Sequence, residues 1–183
     1  GIRLTPGQAF GGTAETLEQS AESIPILGNL IKGAKRASME DFNVAAMNDT
    51  LGSIGEKVTK GNTGRTALIA TRDKVSNAYD TLLPKLKLTP DTTLSNNLDN
   101  VVKKYLKDLR NVDESYAKYI RVENAVTRAS KQGSEPVFSP EQLAASIQSL
   151  EKTLRKGAIG RGTALMQDLS NKGIDVLGTR VPD

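Results

Sequence analysis

The chain has 183 residues, of which 37% are hydrophobic and 25% charged, with a formal net charge of +4. That balance is too apolar for an unfolded chain, lean for a thick globule, and too mild to demand a nucleic-acid partner. With no Cys and no His, disulfides, thiolate nucleophiles, the usual zinc sites and histidine acid–base chemistry are excluded.

Aromatic residues make up 4% of the chain, with no Trp, so the core is expected to be built from Leu, Ile, Val and Ala. Thin cores of that kind suit elongated helical bundles. The chain opens on Gly1-Ile2-Arg3 rather than Met, which implies a processed product or a piece of a longer protein. The longest apolar run, Ile24–Leu27, is far short of the roughly 20 residues of a membrane-spanning helix.

In chain order, Thr5-Pro6-Gly7-Gln8 supplies an N-cap, a proline at the first helical position and a glutamine at the third. A first helix is predicted over about 6–22, weakened by Gly7, Gly11 and Gly12. Ser23-Ile24-Pro25 breaks it, because the residue before proline is pushed out of the α region. A second helix runs from Pro25 to about Thr50, with Leu27, Leu30, Ile31, Ala34, Phe42 and Ala45 at three- and four-residue steps. Its stripe is narrow, which suggests a helix lying against something rather than one that nucleates a core. The candidate partner-binding residues are Leu27, Leu30, Ile31 and Phe42.

The glycine-rich stretch Leu51–Gly64 reads as a loop and a boundary between an N-terminal arm, 1–62, and a bundle, 63–183. Helix three follows over about 65–83, with Leu68, Val75, Tyr79 and Leu82 aligned and Pro84 stopping it. Leu88-Thr89-Pro90-Asp91 restarts the chain into helix four, striped by Leu94, Leu98, Val101, Val102, Tyr105 and Leu109. Asp113 is expected to cap helix five, with Tyr116, Tyr119, Ile120 and Val126 on one face. Gly133–Phe138 is a linker, and Ser139-Pro140-Glu141-Gln142 is a capping box opening helix six, with Leu143, Ile147, Leu150 and Leu154 inward. Gly157–Gly162 reads as a flexible joint, and a last helix covers about 163–177. The expectation is therefore an all-α bundle of six to seven helices with an N-terminal helical arm. No stretch shows a strand period or an internal repeat.

The motifs that could carry chemistry are few. Gly157-Ala158-Ile159-Gly160-Arg161-Gly162-Thr163 lacks the lysine of a phosphate loop and follows a helix rather than a strand, so it reads as a joint. Gly7 and Gly11 form a G-x-x-x-G, but the surrounding Glu15, Glu18 and Glu22 exclude a membrane setting. Lys103, Lys104, Lys107 and Arg110 form a basic face suited to polyanion contact; Lys118, Arg121, Arg128 and Lys131 add a second basic stretch. The bland reading of both is a solvated face interleaved with Asp108, Asp113, Glu114 and Glu123. Glu15, Glu18, Glu22, Glu40 and Asp41 lack the apolar setting that a general acid needs. No catalytic residue, cofactor or metal site is expected.

Leu4-Thr5-Pro6-Gly7-Gln8, then Gly11-Gly12, Glu18, Ser23-Ile24-Pro25 with Gly28 and Ile31, then Asp41-Phe42-Asn43, together resemble a segment of long structural proteins of tailed bacteriophages. Tyr79–Leu86, "YDTLLPKL", resembles a later part of the same segment. The likeness covers roughly the first half of the chain and rests on helix caps and turns rather than a catalytic signature. It implies a virion protein of the internal or DNA-ejection kind, with other virion proteins or copies of itself as partners. Such proteins leave the particle with or ahead of the genome and help form a conduit through the host envelope. Some carry a peptidoglycan-cleaving domain, which nothing in these residues matches. A helical adaptor for a protein partner, or a weak non-specific nucleic-acid binder, fits the same helices.

Overall fold

A computed structural model describes residues 1–5, 8–9, 25–59, 64–86, 98–131, 137–154 and 157–178. The described residues are all-helical, with five α-helices and no strand. We label them α1 (Pro25–Gly52), α2 (Gly64–Leu82, continued by a 3-10 turn Leu83–Leu86), α3 (Leu98–Ser130), α4 (Pro140–Leu154) and α5 (Gln167–Leu177).

Three helices begin or end as elementary capping rules demand. Gln8 N–H donates to Thr5 Oγ1 at 3.2 Å, and Thr5 N–H donates back to Gln8 Oε1 at 3.1 Å. Ser139 and Gln142 make the same reciprocal pair at 2.8 and 3.2 Å, with Pro140 between them opening α4. The rest of the predicted first helix lies outside the described residues. At the end of α1, Glu56 N–H donates to Leu51 O and Gly55 N–H to Gly52 O, and Gly55 takes φ +75°. These are the two bonds of a Schellman stop, whose left-handed residue is cheap for glycine.

The predicted helices four and five are one helix of 33 residues. Between Leu98 and Ser130 there is no Gly or Pro to interrupt it. Asp113 caps nothing: it lies mid-helix and accepts a 2.7 Å bond from the Tyr79 hydroxyl of α2. The Gly157–Gly162 joint is a hydrogen-bonded turn rather than a slack one. Thr163 N–H donates to Ala158 O and Gly162 N–H to Ile159 O, and Ala158 is buried. The last helix starts at Gln167 because Met166 turns left-handed at φ 66° immediately before it.

The centre of α1 is wrapped by the molecule. Asp41, Phe42, Asn43, Val44, Ala46 and Met47 are all buried, and α1 packs on α2, α3 and α5. Residues 38–51, placed in an arm by the sequence pattern, therefore share one core with the helices that follow. The largest buried side chains are Phe42, Phe138, Met39 and Met47, where Leu, Ile, Val and Ala were expected to dominate. Phe42 and Phe138 meet edge to face, with centroids 6.0 Å apart. Ala46, Ala67, Ala125 and Ala129 have no exposure, and the buried hydroxyls of Thr50 and Thr71 donate to the carbonyls four residues back. Small side chains and self-satisfied threonines let the helices approach closely with little bulk between them.

α1 and α3 run antiparallel and staggered. Lys118 of α3 reaches Asp49, and Glu114, one turn earlier, takes a hydrogen bond from Ser53. α1 stops there, while α3 continues back to Leu98. At the other end, Asn29, Leu30, Lys32, Gly33 and Ala34 of α1 are exposed and burial begins only at Ser38. Among the described residues, α1 extends past α2 and α3 at one end, and α2 and α3 extend past α1 at the other.

Candidate functional site

An open cleft of about 510 Å³ lies where α1 has ended and α2 and α3 run on. That volume lies within the range of ordinary ligand sites. α2 contributes Asn77, Ala78, Thr81 and Leu82, and Lys85 follows in the 3-10 turn; these positions repeat at three and four residues, so they share one face. α3 contributes Asp108, Asn111 and Val112 at the same spacing, and the turn after α1 closes the end with Ser53, Ile54 and Glu56. Leu82 and Val112 are buried and form an apolar floor, and the walls are polar and of both charges. Glu56 is tied to Lys74 by an ion pair. With no histidine or cysteine in the chain, the cleft presents amide, hydroxyl, carboxylate and ammonium groups around an apolar floor.

The electrostatics around the cleft are structural. Lys118, largely buried, reaches Glu114 at 3.0 Å and Asp49 at 3.4 Å. The hydrogen bond from Lys118 holds the Glu114 carboxyl below its ordinary pKa, helped by the charge of Lys118 and the Ser53 hydroxyl against partial burial. On the far side of the α2–α3 contact, Tyr79, Tyr116 and Tyr119 form a row with centroid separations of 6.2 and 6.4 Å. Burial raises the hydroxyl pKa of Tyr79 and of Tyr119, and the hydrogen bonds to Asp113 and Glu123 add to the effect.

The candidate partner stripe divides. Leu30 is 67% exposed and Ile31 half-buried, whereas Phe42 is fully buried against Phe138 of the same chain. The reason is position: Phe42 sits where the other elements surround α1, and Leu30 three turns earlier where they do not. Leu27 lies in α1, and its side chain is outside the described set. Of the basic face, Lys103, Lys107 and Arg110 are exposed on the first half of α3, and Lys104 has its side chain outside the described set. Of the second basic stretch, Arg121 is not solvated: it is buried in an ion pair with Glu151 of α4 and donates to Ala117 O at 2.6 Å. Helical spacing could not reveal this, since Arg121 continues the face of Lys103, Lys107 and Arg110, and α4 covers that face at Arg121.

Asp41-Phe42-Asn43 makes contacts to three separate parts of the chain. Asp41 takes Arg3 Nε at 2.7 Å, Arg3 Nη2 at 3.1 Å and Arg3 N–H at 2.8 Å, which fastens the N-terminal segment to α1. Gln8 of the first capping box accepts from Ser38 at 3.2 Å. Asn43 donates to Phe138 O at 2.7 Å and to Met39 O at 2.8 Å, and accepts Phe138 N–H at 3.0 Å. One buried side-chain amide thus satisfies both polar groups of a peptide unit that has no helix to serve it. Thr5 and Gln8 thus tie the N-terminal segment to α1, and Phe42 and Asn43 tie α1 to the segment before α4.

No group of metal-ligating side chains occurs among the described residues, and none of the described helices is long and apolar enough to cross a membrane. No family model, curated protein or solved structure matches the chain.

Proposed function

We propose that the chain is a non-enzymatic structural module of a tailed-phage virion or DNA-ejection protein, helping to assemble the particle or the conduit that delivers the genome. The observation that carries this reading is the use made of the resembling residues. Of these residues, Thr5, Gln8, Asp41, Phe42 and Asn43 belong to one interlocked framework, as expected of a motif that serves architecture. In this reading the whole chain is an elongated bundle of six to seven helices. Residues 1–62 are its N-terminal arm, and the exposed start of α1 rests on other virion proteins or on further copies of itself. The module resides in the virion and travels toward the host envelope.

The non-enzymatic part of the reading rests on chemistry. With no His or Cys in the chain, catalysis would fall to carboxylates, and the buried Asp41 and Glu151 are both engaged by arginine. The purified chain is expected to show no peptidoglycan or nucleotide turnover; turnover abolished by one Asp or Glu substitution would overturn this.

A second reading, weak nucleic-acid binding, is favoured by the exposed Lys103, Lys107 and Arg110. Three neighbouring cations neutralise few phosphates, so DNA binding is expected to fade by about 200 mM salt. The test of the main proposal is proteomic. Particles purified from a host carrying the gene should contain this chain, and particles from a strain lacking it should fail in assembly or genome delivery. Particles that never contain the chain, or whose yield and infectivity survive its deletion, would overturn the proposal.

A further inference from the structure

We draw no further inference here: the strongest candidate, the surface patch on α2 and α3 around the exposed ring of Tyr116 and its neighbour Tyr79, carries none because nothing in the structure shows what covers it.

Discussion

Asn43 does the work of a strand neighbour from inside a helix. Phe138 lies just outside α4 and is fully buried. The Asn43 amide takes its N–H and its C=O together. Asn43→Ala would leave both groups buried and unpaired, at a cost of about 2–4 kcal/mol. Urea unfolding should show that loss as a lower midpoint with an unchanged slope; a variant as stable as the parent would mean that the amide is dispensable. Helical periodicity does not disclose the role of Asn43, because a polar residue in a helix defaults to solvent in any periodicity argument, and its partner is 95 residues away. The two capping boxes were legible because each is local: the donor and acceptor lie three residues apart. Glu114 gives a pH signature. Its pKa is lowered in the folded chain by Lys118, so the stabilisation is present above the unfolded value of about 4.3 and is lost as pH falls through the folded value. Because the pair is partly solvated, the effect stays below about 1 kcal/mol. Glu114→Gln should therefore flatten the acid limb of the stability profile near pH 4 and leave the alkaline limb unchanged.

At the scale of elements, close approach is set by what is missing. A Cβ on Gly173 of α5 would stand 2.6 Å from Phe42 Cε2 and 2.9 Å from two carbons of Pro140. Phe42 is locked against Phe138 and Pro140 belongs to the start of α4, so neither can yield cheaply. Gly173→Ala is expected to cost about 1–3 kcal/mol, although alanine favours helix, and calorimetry should show a lowered melting temperature. α3 and α4 are joined by the buried Arg121–Glu151 pair, in which Arg121 Nε and Glu151 Oε2 have no hydrogen-bond partner among the described residues. Removing one member, as in Glu151→Ala, should cost about 3–5 kcal/mol, whereas replacing both by Arg121→Met and Glu151→Leu should be neutral or stabilising. A double variant as unstable as the single one would show that the pair itself supplies net stability. The existence of the helices was legible from spacing, but the unity of α3 was not. Asp113 has the chemistry of a cap, and only its pairing with Tyr79 across the α2–α3 contact identifies it as an interior residue. In α5, Ser170 and Gly173 are buried together with Leu177, while Val176 is 41% exposed.

At the scale of the molecule, the stagger of α1 against α3 organises both the fold and the proposed function. The exposed Leu30 and the buried Phe42 belong to one sequence stripe, and no local rule separates them; only the point at which the other helices begin to cover α1 does. The cleft was equally hidden, since Asn77, Thr81, Asp108 and Asn111 read as ordinary polar helix faces until α1 is seen to stop short of them. A chain whose role is to join copies or neighbours should tolerate change at such an end without losing its fold. The most direct measurement is a competition. The wild-type chain and Leu30→Asp are supplied together to assembling particles, and quantitative mass spectrometry of the purified particles gives the ratio incorporated. The account predicts that the wild-type chain is incorporated at a constant copy number and that Leu30→Asp is depleted by about tenfold or more, with the melts of the two isolated chains superimposable. Equal incorporation of the two, or particles containing neither, would contradict it.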